Sequence, residues 1–248
     1  RPICQDTGIG MVFIKVGMQV SWPDATMSIQ EMINEGVRRA YANPDNPLRA
    51  PVLADPAGAR KNTKDNTPAV VHFEIVEGHH VEVICAAKGG GSEAKSKFAM
   101  LNPSDDLVDW ILHKIPEMGA GWCPPGTLGI GIGGTPEQAM LQAKLSLFDP
   151  IDIDLLQARG AANAEEALRL ELFERANALG IGAQGLGGRH AVLDVKVRAR
   201  PCHAAALPVA LIPNCAATRY LRFTLDGSGP ARIEPPPPEL WADIPDRF

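Results

Sequence analysis

Long apolar runs are missing from this 248-residue chain. The longest candidate, HAAALPVALI, is interrupted by Pro208 and followed by Pro213. It falls well short of the roughly 20 residues that a membrane helix needs, so no membrane partner is expected. Excess positive charge is missing as well. A net charge of −5 with dispersed Lys and Arg gives no electrostatic reason to expect nucleic acid, and any bound anion should be small. Cysteine is sparse: Cys4, Cys85, Cys123, Cys202 and Cys215 are too few for a disulfide scaffold at this length, which points to a reduced, cytoplasmic setting. No secretory signal pattern is visible. Nor does an initiator Met precede Arg1, so the sequence reads as a piece whose upstream segment lies elsewhere.

What is present suits a globular chain of one large or two small domains. The 45% hydrophobic content suffices for a sizeable core. GMVFIKVGMQV reads as a strand. SIQEMINEGVRRAYA reads as a helix capped by Ser28, with Glu31 closing a capping box and Ile29, Ile33, Val37 and Ala40 on its buried face. VVHFEIVEGHHVEVICAAK alternates on both sides of Glu77-Gly78-His79, which predicts two antiparallel strands joined by a short turn. Further helices are predicted in SDDLVDWILHKI, with Val108, Ile111, Leu112 and Ile115 on one face, and in TPEQAMLQAKLSLF, with Thr135 as N-cap and Pro136 first in the helix. A longer helix is predicted from Asn163 toward Gly180, with Glu166 completing its capping box. AVLDVKV is a strand. Strands and helices without regular alternation predict an α+β fold, a mixed β-sheet flanked by helices. EPPPPEL near the end is expected to be an extended linker.

Three cysteines stand beside proline, glycine or small polar residues, in PICQDTG, GWCPPGTLGIGIGG and PNCAATR. Loops of this kind expose sulfur. No CxxC clip exists, so a shared metal would have to be assembled by the fold; the plain alternative is three buried, unreactive thiols. Cys85, in the apolar run VEVICAAK, is expected to pack as a small hydrophobe, and Cys202 is open to either reading. The glycine stretches KGGGS and GIGIGGT fit neither the dinucleotide nor the P-loop fingerprint. Their amides, with Lys88, could hold a carboxylate or merely turn the chain. Arg49 and His203 are further carboxylate-handling candidates, while His72 and His80 are expected to face water.

Together, CQDTG, NTKDNTPAVVHFEIVEG, AKGGGS, WCPPGTLGIGIGGT, GIGAQGLGG, HAAALPVALIPNCAATR and FTLDGSGP resemble, in order, the cluster-binding domain of the class I, iron-sulfur fumarate hydratases and the related tartrate dehydratases. The resemblance implies that Cys4, Cys123 and Cys215 hold a four-iron, four-sulfur (4Fe-4S) cluster, leaving one iron open to substrate. Cys85 and Cys202 match none of the ligands. It further implies that Gln5 and Asp6 reach the substrate, that Arg49 pairs with its carboxylate, and that the amides of Gly89 and Gly90 contact the same dianion. His203 aligns near the substrate and, with Asp6, is the catalytic candidate. The implied reaction is reversible hydration of fumarate to L-malate, with the general base supplied by a C-terminal domain or a β subunit and a homodimer as the assembly. The implied division is a cluster-binding domain over residues 1–229 and a proline-rich linker over 230–248 toward a further domain. Lys64, Ala94, Arg189 and His190 depart from the family pattern. Alternatives are the α subunit of a tartrate dehydratase, using the same cluster, and a metal-free module that binds a small dicarboxylate or phosphate.

Overall fold

A computed structural model describes residues 4–45 and 48–233; the expected linker lies outside them from residue 234 onward. In chain order the elements are β1 (Ile9–Gly17), α1 (Ile29–Tyr41), β2 (Val70–Val76), β3 (Val81–Lys88), the single turn α2 (Gly90–Glu93), β4 (Lys97–Leu101), α3 (Leu107–Glu117), β5 (Gly126–Gly133), α4 (Pro136–Ser146), α5 (Ile153–Arg159), α6 (Ala164–Ala178), β6 (Val192–Arg200), β7 (Leu207–Cys215), β8 (Tyr220–Leu225) and β9 (Arg232–Ile233). Mixed sheets flanked by helices make the fold α+β. The chain divides into two compact units. One comprises the described residues up to Gly90 with those from Ala217 on, and the other runs from Gly91 to Ala216.

The first unit is a five-stranded sheet of order β2-β1-β3-β8-β9. The predicted β2–β3 hairpin does not form. β1 lies between the two, parallel to β2 and antiparallel to β3. The reason is burial: Met11, Val12, Phe13 and Ile14 are all below 9% exposed, so β1 takes an inner position, flanked by a strand on each side. Residues 77–80 then carry the chain around the end of β1, where Gly17 N–H donates to His80 O at 3.0 Å. Helix α1 packs Ile29 and Ile33 on Val12, Ile14, Val81 and Val83. Ser28 caps it, accepting from Glu31 N at 3.2 Å. Glu31 closes no capping box; its carboxylate accepts from Asn34 at 3.1 Å and Arg38 at 3.3 Å. Ala40 is exposed, and the helix's one buried residue is Asn34, whose Oδ1 accepts from Ala69 N at 3.0 Å. His72 stacks on Phe13 at 5.1 Å, and His80 pairs with Glu82 at 3.2 Å.

The second unit is a four-stranded sheet of order β4-β7-β5-β6, with β5 parallel to β6 and antiparallel to β7. One face is covered by α3 and α6, through Ile111, Leu112, Ile115 and Leu172 against Leu128, Ile130, Val195 and Leu211. On the other, Ala139, Ala143 and Leu147 of α4 pack against Ala210 and Ile212. The helix starts follow the sequence. Thr135 opens α4 with Pro136 first, and Asn163 caps α6 by accepting from Glu166 N at 2.9 Å. Asp106, unmarked in the sequence reading, caps α3. Glu166 turns away from its own cap to Arg159 and to Ala162 N, each at 2.8 Å. Helix α4 approaches β5 so closely that a methyl built on Gly131 would lie 1.9 Å from Ala139 O, and one on Gly129 2.2 Å from Ala143 O. Buried Asp194, Lys196 and Arg169 join Asp152 in a charge-balanced quartet: Lys196 meets Asp194 at 2.9 Å, Arg169 meets Asp194 at 3.2 Å, and both cations reach Asp152. The two cations hold the Asp152 carboxyl below its ordinary range against the opposing effect of its own desolvation.

Candidate functional site

In the first unit the predicted residues Cys4, Gln5 and Asp6 form a loop ahead of β1 whose polar groups are almost fully engaged. Asp6 N–H donates to Cys4 Sγ at 3.4 Å. The Asp6 carboxylate accepts from Gly8 N at 2.9 Å and from Gly90 N at 2.7 Å, so the Gly90 amide assigned to substrate is directed at Asp6. Gly89 is buried beside it. Arg49 is exposed and donates Nη2 to Gln5 O at 3.4 Å, a long contact that leaves most of its fork open.

Three residues with no role in the sequence reading complete this loop. Tyr41 Oη donates to Thr7 O at 2.7 Å and approaches Gly8 O at 3.1 Å; Asn66 Nδ2 donates to Gly8 O at 3.1 Å; Arg219 donates to Asp6 O and, at 3.4 Å, to Ala87 O. Desolvation pushes the Tyr41 phenol up, so it stays a donor. Asn66 stands at φ 62 and Lys64 at φ 68. Lys64, one of the departures from the pattern of the resembled family, thus adopts the left-handed backbone that glycine favours. The only local signals for these residues were the turn-rich motifs NTKDNTP and CAATR.

The second unit holds Cys123, Cys215 and His203. Cys123 follows a 3-10 turn, Gly119–Trp122, at φ 58 and ψ 60, and donates its N–H to Ala120 O at 2.9 Å. Three residues on, Gly126 opens β5 opposite Cys215, the last residue of β7, and Ala216 N–H donates to Pro125 O at 3.1 Å. The fold thus brings two cysteines, far apart in sequence, to one end of the β5–β7 ladder. The loop GIGAQGLGG braces this end, Gln184 donating to Pro124 O through its backbone at 2.7 Å and its side chain at 3.2 Å. His203 is exposed and accepts at Nδ1 from Ala205 N at 3.1 Å, which leaves the proton of the neutral ring on Nε2.

Cys4 and Cys215 are half-buried, Cys123 is exposed, and none of the three is in a disulfide. Among the described residues no group of three or more His, Cys, Asp or Glu side chains is placed to hold a metal ion. Thiolates are the ligands an iron-sulfur group takes; the second unit carries two of these cysteines near one ladder end, and the first unit carries Cys4 on the loop ahead of β1.

Cys85 departs from expectation. Its side chain opens into an apolar space of about 450 Å³ between α1 and the sheet, with Ile33, Val37, Tyr41, Leu221 and Phe223 around it. Desolvation by that wall pushes the thiol up. Alkylation proceeds through the thiolate, so iodoacetamide at pH 8 is expected to modify Cys85 several-fold more slowly than a free cysteine peptide, read by mass spectrometry. Equal rates would show that the wall does not desolvate the sulfur.

The family model described as fumarate hydratase (Fumerase) matches residues 1–224. A Methanocaldococcus jannaschii protein named "Putative L(+)-tartrate dehydratase subunit alpha" is 39% identical over 226 residues, covering 88% of this chain and 76% of that protein. The anaerobic class I fumarate hydratase of Escherichia coli is 31% identical over 237 residues, 92% of this chain but 42% of that enzyme. An Escherichia coli L(+)-tartrate dehydratase subunit alpha is 30% identical over 224 residues, 88% and 71% of the two chains. The chain thus spans most of the length of the subunits it matches and less than half of the long fumarate hydratase.

Proposed function

This chain belongs to the fumarate hydratase (Fumerase) family of hydro-lyases, and from that premise we propose that it is the cluster-bearing half of an enzyme that reversibly hydrates fumarate to L-malate. The observation that carries the proposal is the family match over residues 1–224 combined with the placement of Cys215 opposite Gly126, three residues from Cys123, at one ladder end. In this reading Cys4, Cys123 and Cys215 hold a 4Fe-4S cluster. Bound there, that cluster supplies a Lewis-acidic iron that stabilises the negative charge developing on substrate oxygens, without redox change.

Hydration adds hydroxide to one alkene carbon and a proton to its neighbour. The chain's own residues bind and orient the substrate. Arg49 offers a two-pronged donor to one carboxylate, and the Gln5 amide and the Gly89 amide contact the dianion, joined by the Gly90 amide once Asp6 gives it up. Asp6 sits at the same loop, and His203 presents its Nε2 proton as a donor. The base that removes the C–H proton in the reverse direction comes from the remaining part of the enzyme, a C-terminal domain or a β subunit. A homodimer completes the assembly. Residues 1–229 form the cluster-binding domain, and 230–248 the linker.

A second reading has its own support: the match to the Methanocaldococcus jannaschii protein is higher in identity and covers more of that protein's length than the match to the fumarate hydratase does of its own, which favours a tartrate dehydratase α subunit. Anaerobic reconstitution should give about four irons and four sulfides per chain. With the remaining part of the enzyme supplied, turnover of fumarate is expected and inactivation by oxygen should follow. Turnover of tartrate alone would replace the fumarate reading by the second. A folded chain that takes up no iron, yet binds dicarboxylate in the presence of chelator, would leave only a binding module.

A further inference from the structure

The loop from Gln5 to Gly8 precedes β1, so its carbonyls have no ladder partners, and an unpaired backbone carbonyl is costly wherever water is excluded. Each of the four takes a side-chain donor from elsewhere in the first unit: Gln5 O from Arg49, Asp6 O from Arg219, Thr7 O from Tyr41, and Gly8 O from Asn66. The donors come from α1, from the NTKDNTP turn, from the approach to β8 and from residue 49, so distant segments converge on one short stretch. Its amides are tied in the same way, with Asp6 N on Cys4 Sγ and Gly8 N on Asp6 Oδ1. A loop fixed from so many directions has little freedom left.

We propose that Tyr41, Asn66 and Arg219 are positioning residues for Cys4. They hold the Cys4–Gly8 loop, and with it the thiol, in one place before any ligand arrives. None of the three is a catalytic residue; each acts through the backbone that carries Cys4. The proposal rests on the reading of Cys4 as a cluster ligand. A metal–thiolate site tolerates only about 0.5 Å of looseness, so a freed loop should hold iron less well.

The test uses Tyr41→Phe, which keeps the ring and deletes the hydroxyl, and Asn66→Asp, which keeps the shape and turns a donor into an acceptor. In the metal-free chain, amide hydrogen exchange at Asp6 and Gly8 should speed about tenfold in each variant, the scale of one lost buried hydrogen bond, while amides of β3 such as Val83 are unchanged. In the reconstituted chain, iron release to a chelator should speed by a similar factor, followed by the visible absorption of the cluster. A purely structural role would raise exchange throughout β1 and β3, and that result would overturn the proposal. So would unchanged exchange in both variants. Cys4→Ala separates the remaining cases. If it loses iron while Tyr41→Phe and Asn66→Asp release theirs at the parent rate, positioning fails and the ligand reading stands. If Cys4→Ala keeps its iron, the ligand reading fails and the positioning role falls with it.

Discussion

Replacing Cys123 by glycine is expected to strip the reconstituted chain of iron while making the metal-free chain more stable. The two effects have separate causes. Cys123 sits in left-handed backbone, φ 58 and ψ 60, which costs a residue bearing a Cβ about 1–2 kcal/mol. Glycine relieves that cost but gives the unfolded chain about 0.4–1 kcal/mol of extra freedom. A net gain of up to about 1 kcal/mol remains, or about 2–4 °C in thermal midpoint for a chain of this size. Iron should fall from about four per chain to almost none. Cys215→Ala should lose iron in the same way without the gain in stability, and Cys85→Ala and Cys202→Ala should keep it. Full iron in Cys123→Gly would remove this cysteine from the ligand set. A fall in stability would mean that the left-handed turn is held for packing rather than to present a thiol.

Gly131→Ala is expected to cost the second unit about 3 kcal/mol or more, read as a drop in urea midpoint. The added methyl would meet Ala139 O at 1.9 Å, Ala143 N at 2.8 Å and Ala139 C at 2.9 Å, all backbone atoms of α4 that no side-chain rotation can move. To make room, the helix must lift from the sheet and expose Ala139, Ala143 and Leu147, now 0%, 0% and 2% exposed. The same substitution at Gly36 of α1 should act in the opposite direction. No atom lies within 4 Å of a methyl there, and alanine is favoured over glycine in a helix by about 1 kcal/mol. A Gly131→Ala chain within about 0.5 kcal/mol of the parent would show that α4 rides on β5 more loosely than the distances imply.

These two substitutions also mark where the sequence was readable. α1, α4 and α6 announce themselves through Ser28, Thr135-Pro136 and Asn163, and β1 and β6 through dense apolar runs, because caps and periodicity are local properties. β5 was read as a loop because GTLGIGIG looks like a ligand turn; its glycines are there so that a helix backbone can lie on the strand. β7 was hidden by Pro208 and Pro213, which ordinarily argue against an inner strand, yet it pairs with β4 on one side and β5 on the other. The β2–β3 hairpin was plausible from alternation alone, since no local pattern tells whether a third strand will enter between two neighbours. At the candidate site, the exposed placement of Cys123 followed from its proline-glycine context. That Cys123 and Cys215 fall toward the same ladder end follows only from the β5–β7 pairing. Asn66 and Arg219 are marked only by their turn-rich surroundings and Tyr41 by nothing local, because their partners are carbonyls supplied by distant backbone.

The first sheet is discontinuous in the chain: β1, β2 and β3 come early, whereas β8, which pairs with β3 from Val81↔Leu225 to Ala86↔Tyr220, comes only after Gly91–Ala216. During synthesis at about 5–20 residues per second, the outer edge of β3 therefore waits on the order of ten seconds for its partner. Throughout that interval a strand bearing Val81, Val83 and Cys85 offers bare N–H and C=O groups to any other nascent strand nearby. In the second unit β4 waits in the same way for β7, but there both strands belong to one continuous stretch. A circular permutation that places β8 ahead of β1 would remove this wait from the first unit and let its sheet pair as it leaves the ribosome.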